Sequence, residues 1–233
     1  MIRRHDFNSE WWGEDVGIVS DPAFFELAAP ERMAAQQKFA WLEFVDTVSP
    51  PLRQALTRAG FFYIDTQIRF RLDMRNISLT PCGQELQVET AAESPFAIHA
   101  AELRPFEHER FYALPGATEL KISSRYALWA ADLVRDHSET CLRLLQNNDV
   151  QGWFLAQRET EGLRLTLAML SSDTRVSGYD LYARAISHFA AMGLRLGFAS
   201  FSANNSNVLN IYARMGARFL QPRECWMWVR PAG

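Results

Sequence analysis

From Leu163 to Met169 the chain reads LRLTLAM, with Leu163, Leu165, Leu167 and Met169 at alternate positions and so expected on one face. Strict alternation is the pattern of a half-buried strand. The stretch DTRVSGYDLY, Asp173 to Tyr182, follows directly, and Tyr182, Ala185, Ile186 and Phe189 then recur at helical spacing ahead of Gly193. That spacing predicts an amphipathic helix with a glycine stop. Strand, junction and helix in this order define an α/β layer, because the helix must fold back over the sheet to bury its stripe. Around this unit, GWFLAQR from Gly152 supplies a hairpin partner and LRLGFASF from Leu194 a further strand. Val208, Ile211, Tyr212 and Met215 make a second helical stripe closed by Gly216, and CWMWV from Cys225 is the last strand. The final third is expected to run β-β-α-β-α-β.

The first third echoes the end of this series. WLEFVD from Trp41 predicts a strand, PPLRQALTRAG a short helix opened by prolines and stopped by Gly60, and Phe61 to Leu72 a strand. In that strand Phe62, Ile64, Ile68, Phe70 and Leu72 are expected on one face. Aligning QALTRAGFF with NIYARMGAR on Gly60 and Gly216 sets Leu56 against Tyr212 and Ser49 against Asn205. The match is short, and two unrelated β-α-β units would also produce it. Pro81, Gly83 and Pro95 mark a change of composition, so residues 76–96 are expected to link an N-terminal half, 1–75, to a C-terminal domain, 97–233.

The chain of 233 residues is 48% hydrophobic, enough core for one large domain or two small ones. A net charge of −3 provides no basic field, so neither nucleic acid nor a membrane surface is an expected partner. The opening MIRRHD runs into acidic and aromatic residues rather than an apolar run, so no secretory signal is expected and a cytoplasmic protein is. Cys82, Cys141 and Cys225 lack C-x-x-C spacing and are expected to be reduced structural thiols. His108, between Glu107 and Glu109, has no second ligand at metal spacing, so no metal is expected.

A helix that starts where a strand ends presents unpaired N–H groups and a positive dipole end, which suits an anion. Arg175 adds charge there, and Gly178 allows close approach to the backbone. The sequence has neither G-x-x-x-x-G-K-[ST] nor G-x-G-x-x-G at this junction, which removes the usual triphosphate and dinucleotide loops.

What remains, Arg175-Val-Ser-Gly178, resembles the Q/R-x-x-G-x-G/A loop of the GNAT N-acetyltransferase superfamily. Asn205-Ser-Asn-Val-Leu-Asn-Ile-Tyr212-Ala-Arg-Met-Gly216 is similar to its N-x-x-A-x-x-x-Y-x-x-x-G helix. The resemblance implies a GNAT fold: α/β (α+β), a mixed central sheet flanked by helices, here with an incomplete GNAT-like N-terminal half. It also implies acetyl-CoA as cosubstrate, held by Arg175, Val176, Ser177, Gly178, Tyr179, Asp180 and Asn205. Leu170 would offer a backbone N–H to the acetyl carbonyl, and Tyr212 would be the acid that protonates the departing thiolate. A phenol of ordinary pKa near 10 and a thiol of about 8.5 are roughly matched for that transfer. Asp180 stands where the pattern has Gly or Ala, and an acidic group beside a pyrophosphate is tolerable where it points into solvent. The resemblance extends to members that acetylate a nucleotide-linked amino sugar, so a dTDP-amino sugar is an expected acceptor. An amino acid, an antibiotic precursor or a protein amine are alternatives, as is an acyl-CoA-binding protein without catalysis. Glu102, His108 and Glu109 fall in the segment expected to wall the acceptor site, with no one of them singled out as base.

Each of these residues also has a plainer reading. Tyr212 lies on an apolar stripe, where tyrosine is commonly a core residue, and Asn205 is a natural N-cap. Arg175 can be a solvated turn residue, and Trp11 and Trp12 are expected to cover a domain edge. The N-terminal half has no glycine between Gly17 and Gly60, so no second cofactor loop is expected. The aromatic CWMWV strand is expected to offer an apolar edge for a homodimer.

Overall fold

The computed structural model describes residues 1–231. In chain order its main elements are β1 (Ile2–Arg4), α1 (Asp6–Trp12), β2 (Gly17–Val19), α2 (Ala29–Gln36), β3 (Trp41–Asp46), α3 (Pro50–Arg58) and β4 (Phe62–Asp73). Then follow α4 (Pro81–Glu85), β5 (Gln87–Thr90), α5 (Glu119–Asp136), β6 (Cys141–Gln146), β7 (Asp149–Glu159) and β8 (Gly162–Leu170). The last are α6 (Gly178–Ala191), β9 (Leu196–Ser202), α7 (Ser206–Arg214), β10 (Arg218–Phe219) and β11 (Arg223–Val229).

These form two compact units, and neither follows the boundaries expected from composition. The first comprises Met1–Ile68, Ala113–Pro115 and Gln221–Gly233, and the second Arg69–Tyr112 and Gly116–Leu220. Residues 76–96 are therefore not a spacer: Pro81 opens α4, whose N–H of Gly83 is capped by Thr80 Oγ1 at 3.0 Å, and β5 pairs with β6. Proline there marks a first helical turn, where its missing N–H costs nothing.

In the first unit, β1 and β2 are antiparallel, β2 and β3 parallel, and β11 lies between β3 and β4, antiparallel to both. Both edges of β11 are thus paired. The expected dimer edge does not exist, because a strand with neighbours on each side has no free backbone groups to offer. The buried face holds Phe24, Phe25, Leu42, Phe44, Leu56, Phe61, Trp226 and Trp228. In β4 the single-face expectation fails at its start: Cys225 pairs with Asp65 and Trp226 with Tyr63, leaving Ile64 as a bulge. An extra residue reverses the alternation, so Phe62 is exposed while Phe70 and Leu72 are buried.

In the second unit the sheet runs β4-β9-β8-β7-β6-β5, antiparallel from β5 to β8 and parallel between β8 and β9. One apolar cluster gathers α6 and α7 residues Leu181, Tyr182, Ile186, Phe189, Tyr212 and Met215 with Phe70, Leu142, Phe154 and Leu165. A second gathers α5 residues Ala130 and Leu133 with Trp153, Leu155, Leu167 and Met169. The two sets alternate along β8, Leu163 and Leu165 in the first and Leu167 and Met169 in the second, with Thr166 unmatched on β7. That unmatched residue is a bulge, and it carries the apolar stripe from one face to the other.

Candidate active site

The bulge at Thr166 shapes the site. Before it, Leu163 pairs with Gly197 and Arg164 with Phe198; after it, β8 and β9 share no paired residues. A bulge bends and twists its strand, and the two parallel strands splay. On the open side of β8, the carbonyl of Leu170 accepts the Arg104 N–H at 3.1 Å, and the Ser172 N–H donates to the Glu102 carbonyl at 2.9 Å. The segment Glu102–Arg104 thus runs beside the end of β8, bridged through Leu103 and Ser171. N–H and C=O of one strand residue face the same edge, so the Leu170 N–H also faces this opening.

The junction that follows is tied down by Ser177 and Asp180 together with Gln151 and Thr80, two side chains that the sequence reading did not single out. Gln151, buried on β7, accepts the Arg175 N–H through Oε1 at 2.8 Å. Ser177 caps α6 by accepting the Asp180 N–H at 3.1 Å, and its hydroxyl donates to Asp180 Oδ2 at 2.6 Å. The other carboxylate oxygen accepts from the Thr80 hydroxyl. Asp180 therefore does not point into solvent; it is 8% exposed and joins the start of α6 to the start of α4. The S-x-x-D spacing is a capping signature that was legible in sequence, whereas Thr80, a hundred residues away, was not.

Among the described residues, the backbone N–H groups of Ser177, Gly178 and Tyr179 have no partner within the chain. The Arg175 side chain is exposed and in no ion pair, and Val176 is buried in the core beneath the loop. A Cβ on Gly178 would come within 3.1 Å of Ile211 Cδ1, so this glycine also lets α6 approach α7. Tyr179 donates its hydroxyl to the Ser78 carbonyl at 3.0 Å and stacks under the Arg214 guanidinium, 3.8 Å from its ring centre.

On α7, Asn205 caps the helix by accepting the Val208 N–H at 3.1 Å. Tyr212 is 4% exposed, with Phe70 at 4.0 Å, Tyr182 at 5.5 Å and Phe201 at 6.0 Å between ring centres. Its hydroxyl makes no hydrogen bond within the described residues. Burial, and next the neighbouring Tyr182, hold the Tyr212 phenol well above its ordinary pKa. The protein without ligand thus has a weaker acid at this position than an unperturbed phenol. Of the candidate bases, Glu102 accepts the His99 N–H at 2.7 Å and His108 is exposed. Glu109 is buried, accepts the Phe111 N–H at 3.2 Å and receives the Tyr126 hydroxyl. Trp12 meets Trp41 edge to face at 6.3 Å inside the first unit, as a covering residue does. No group of three potential metal ligands occurs among the described residues.

A parallel strand pair splayed at a bulge, joined by a helix whose open end follows the first strand, is the core of the GNAT fold. No protein-family model matches the sequence, and no curated protein matches it. Solved structures do. The GCN5-related N-acetyltransferase from Sphaerobacter thermophilus is 13% identical with a TM-score of 0.54, over 88% of this chain and 65% of that one. A tandem GNAT protein from the clavulanic acid biosynthesis pathway is 9% identical with a TM-score of 0.53, over 95% of this chain and 77% of that one. A glucosamine N-acetyltransferase region of a fungal multi-domain GH3 β-N-acetylglucosaminidase is 11% identical with a TM-score of 0.60, over 98% of this chain and 31% of that one. At these identities the likeness is one of fold, and the fold is the GNAT fold, a mixed sheet flanked by helices.

Proposed function

We propose that the protein is an acetyl-CoA-dependent N-acetyltransferase acting on a small polar amine. The observation that carries this reading is the set of unpaired donors at the splay: the amides of Ser177, Gly178 and Tyr179 at the start of α6, beside the unpaired guanidinium of Arg175. Such a set fits a diphosphate. Acetyl-CoA would supply the thioester that the acceptor amine attacks, with the thiolate as leaving group. Leu170 would donate its N–H to the carbonyl oxygen as negative charge develops there. Tyr212 would give its proton to the sulfur, and Asn205 would hold the start of α7 beside the cofactor. Asp180 reduces the positive potential at the start of α6, and its ties to Thr80 and Ser177 aim its carboxylate at hydroxyls rather than at a phosphate.

The acceptor proposed is a nucleotide-activated amino sugar. Its support is the amino-sugar acceptor named for the fungal structure, whose fold this chain shares at 11% identity.

Calorimetric titration with acetyl-CoA tests the cofactor half of the reading. The parent chain should bind it, and Arg175→Ala should weaken binding roughly 10-fold, the order expected for one charge-assisted phosphate contact. Unchanged affinity in that variant would remove Arg175 from the site, and no binding by the parent would remove the reading itself. Screening dTDP-amino sugars against amino acids for turnover then tests the acceptor.

A further inference from the structure

The chain has six tyrosines. Tyr126 is partly buried and gives its hydroxyl to Glu109, Tyr179 gives its own to the Ser78 carbonyl, and Tyr63 shares one with Thr66 at 2.9 Å. Tyr112 is exposed. Tyr182 and Tyr212 differ from all of these: they are 8% and 4% exposed, lie edge to face at 5.5 Å, and neither hydroxyl has a partner among the described residues. Their apolar surroundings use phenylalanine at every comparable place, Phe70, Phe154, Phe189 and Phe201. A hydroxyl with no partner in the protein adds nothing to this packing, so packing alone accepts phenylalanine at 182 and 212 as well. Neither oxygen is among the sealed, unpartnered polar atoms of the described residues, so each reaches accessible space.

Resting on the acetyltransferase reading, we propose that Tyr182 is a second donor to the thiol sulfur of CoA, which Tyr182 and Tyr212 hold between two phenols. Tyr182 lies on the first turns of α6, one helical turn beyond Gly178, and so belongs to the same element as the unpaired amides. When the carbon–sulfur bond breaks, its electron pair stays on sulfur, and the Tyr212 O–H bond breaks as the S–H bond forms. Tyr182 keeps its proton and donates a hydrogen bond to the sulfur throughout. The proton lost by the acceptor amine leaves to solvent and solvent restores Tyr212, so the charges balance. A thiolate that accepts two hydrogen bonds is a better leaving group than one that accepts a single bond, which offsets the weak acidity of a buried phenol.

The test compares the binding of CoA with that of desulfo-CoA, which lacks only the thiol, to the parent, Tyr182→Phe and Tyr212→Phe. The parent should prefer CoA by about 3- to 10-fold, as one or two net hydrogen bonds would give. Tyr182→Phe should lose a large part of that preference with desulfo-CoA affinity unchanged and with a melting temperature no lower than the parent's, since the hydroxyl supports nothing in the empty protein. A preference that survives intact in Tyr182→Phe, or a variant that melts early, overturns the proposal by making the hydroxyl structural or idle. Equal binding of both ligands by the parent overturns the two-phenol site but leaves the acetyltransferase reading standing. Binding of neither ligand overturns both.

Discussion

Helices α3 and α7 are built alike, hydrogen bond for hydrogen bond, and differ at the one residue each of them buries. Ser49 accepts the N–H of Leu52, three residues on, as Asn205 accepts that of Val208. At the other end Gly60 and Gly216 both have φ +79°, with Phe61 bonded back to Leu56 at 3.0 Å and Ala217 to Tyr212 at 2.9 Å. The single buried side chain is Leu56 in α3 and Tyr212 in α7. Identical scaffolding with leucine in one place and tyrosine in the other shows that the helix and its caps do not require a phenol. The elements ahead of the two helices differ as well. Strands β2 and β3 are paired in parallel at Gly17–Leu42 and Ile18–Glu43, much as β8 and β9 are at two residue pairs. The crossover helix between the first pair, α2, has Ala28 at its cap with no side-chain bond and Pro30 in its first turn, whereas α6 has Ser177, Gly178 and Arg175. Of these two crossover helices, α6 is the one that begins, among the described residues, with a row of free donors beside a cation.

The largest effects should separate the two helices by kind. Leu56→Ala empties a fully buried site and should cost the fold about 2–5 kcal/mol in denaturant unfolding. Tyr212→Phe keeps the volume and removes only an unpartnered hydroxyl, so stability should stay within about 1 kcal/mol of the parent, while kcat should fall roughly 100-fold with little change in KM for acetyl-CoA. A Tyr212→Phe protein with normal kcat would make Tyr212 the packing equivalent of Leu56 and nothing more.

Alkaline pH should sharpen the same contrast more mildly. Burial raises the Tyr182 phenol, and burial with Tyr182 beside it raises Tyr212 well above the ordinary value of 10.0. A folded-state value above the unfolded one means that the unfolded chain gives up its proton first. Stability from these groups is therefore complete below about pH 10 and declines as pH rises beyond it, by up to about 1.4 kcal/mol per pH unit for each phenol. The Tyr212→Phe protein should show a shallower loss between pH 10 and 11 than the parent, and a parallel pair of curves would mean that the phenol ionises as freely in the fold as out of it. Leu56 has no counterpart to this dependence.

How far the comparison was legible in sequence depends on range. The strand at LRLTLAM, the stripe from Tyr182 to Phe189, the proline and glycine limits of α3 and the equivalence of Leu56 with Tyr212 rest on residues within a turn or two of each other, and each appears in the structure, although the single face expected for LRLTLAM is broken at the Thr166 bulge. What was not legible is what lies across the sheet. CWMWV reads as apolar whether it lies at an edge or between two strands, and only its pairing with Trp41–Asp46 and with β4 places it inside the first unit. The bulges at Ile64 and Thr166 have no glycine or other local mark, yet one reverses the face of Phe62 and the other opens the splay. Gln151 and Thr80 likewise belong to the junction only because the fold brings them there.

The smallest expected effect bears on Asn205, whose capping and cofactor roles are compatible and so are not separated by its geometry. Ser49→Ala and Asn205→Ala each remove one acceptor for a third-residue N–H, and each should cost about 1 kcal/mol of stability. The Ser49 bond is the longer, 3.4 Å against 3.1 Å, so its loss should be the lesser of the two. If Asn205 also faces the cofactor, its alanine variant should bind acetyl-CoA a few-fold more weakly than the parent, whereas the Ser49 variant should bind it normally. Replacement by serine discriminates further, because serine caps as well as asparagine does but lacks its amide. An Asn205→Ser protein with restored stability and still weakened binding assigns the contact to the amide. Full recovery of both would leave Asn205 as a cap alone, equal in role to Ser49, and would confine the functional difference between the two helices to Tyr212.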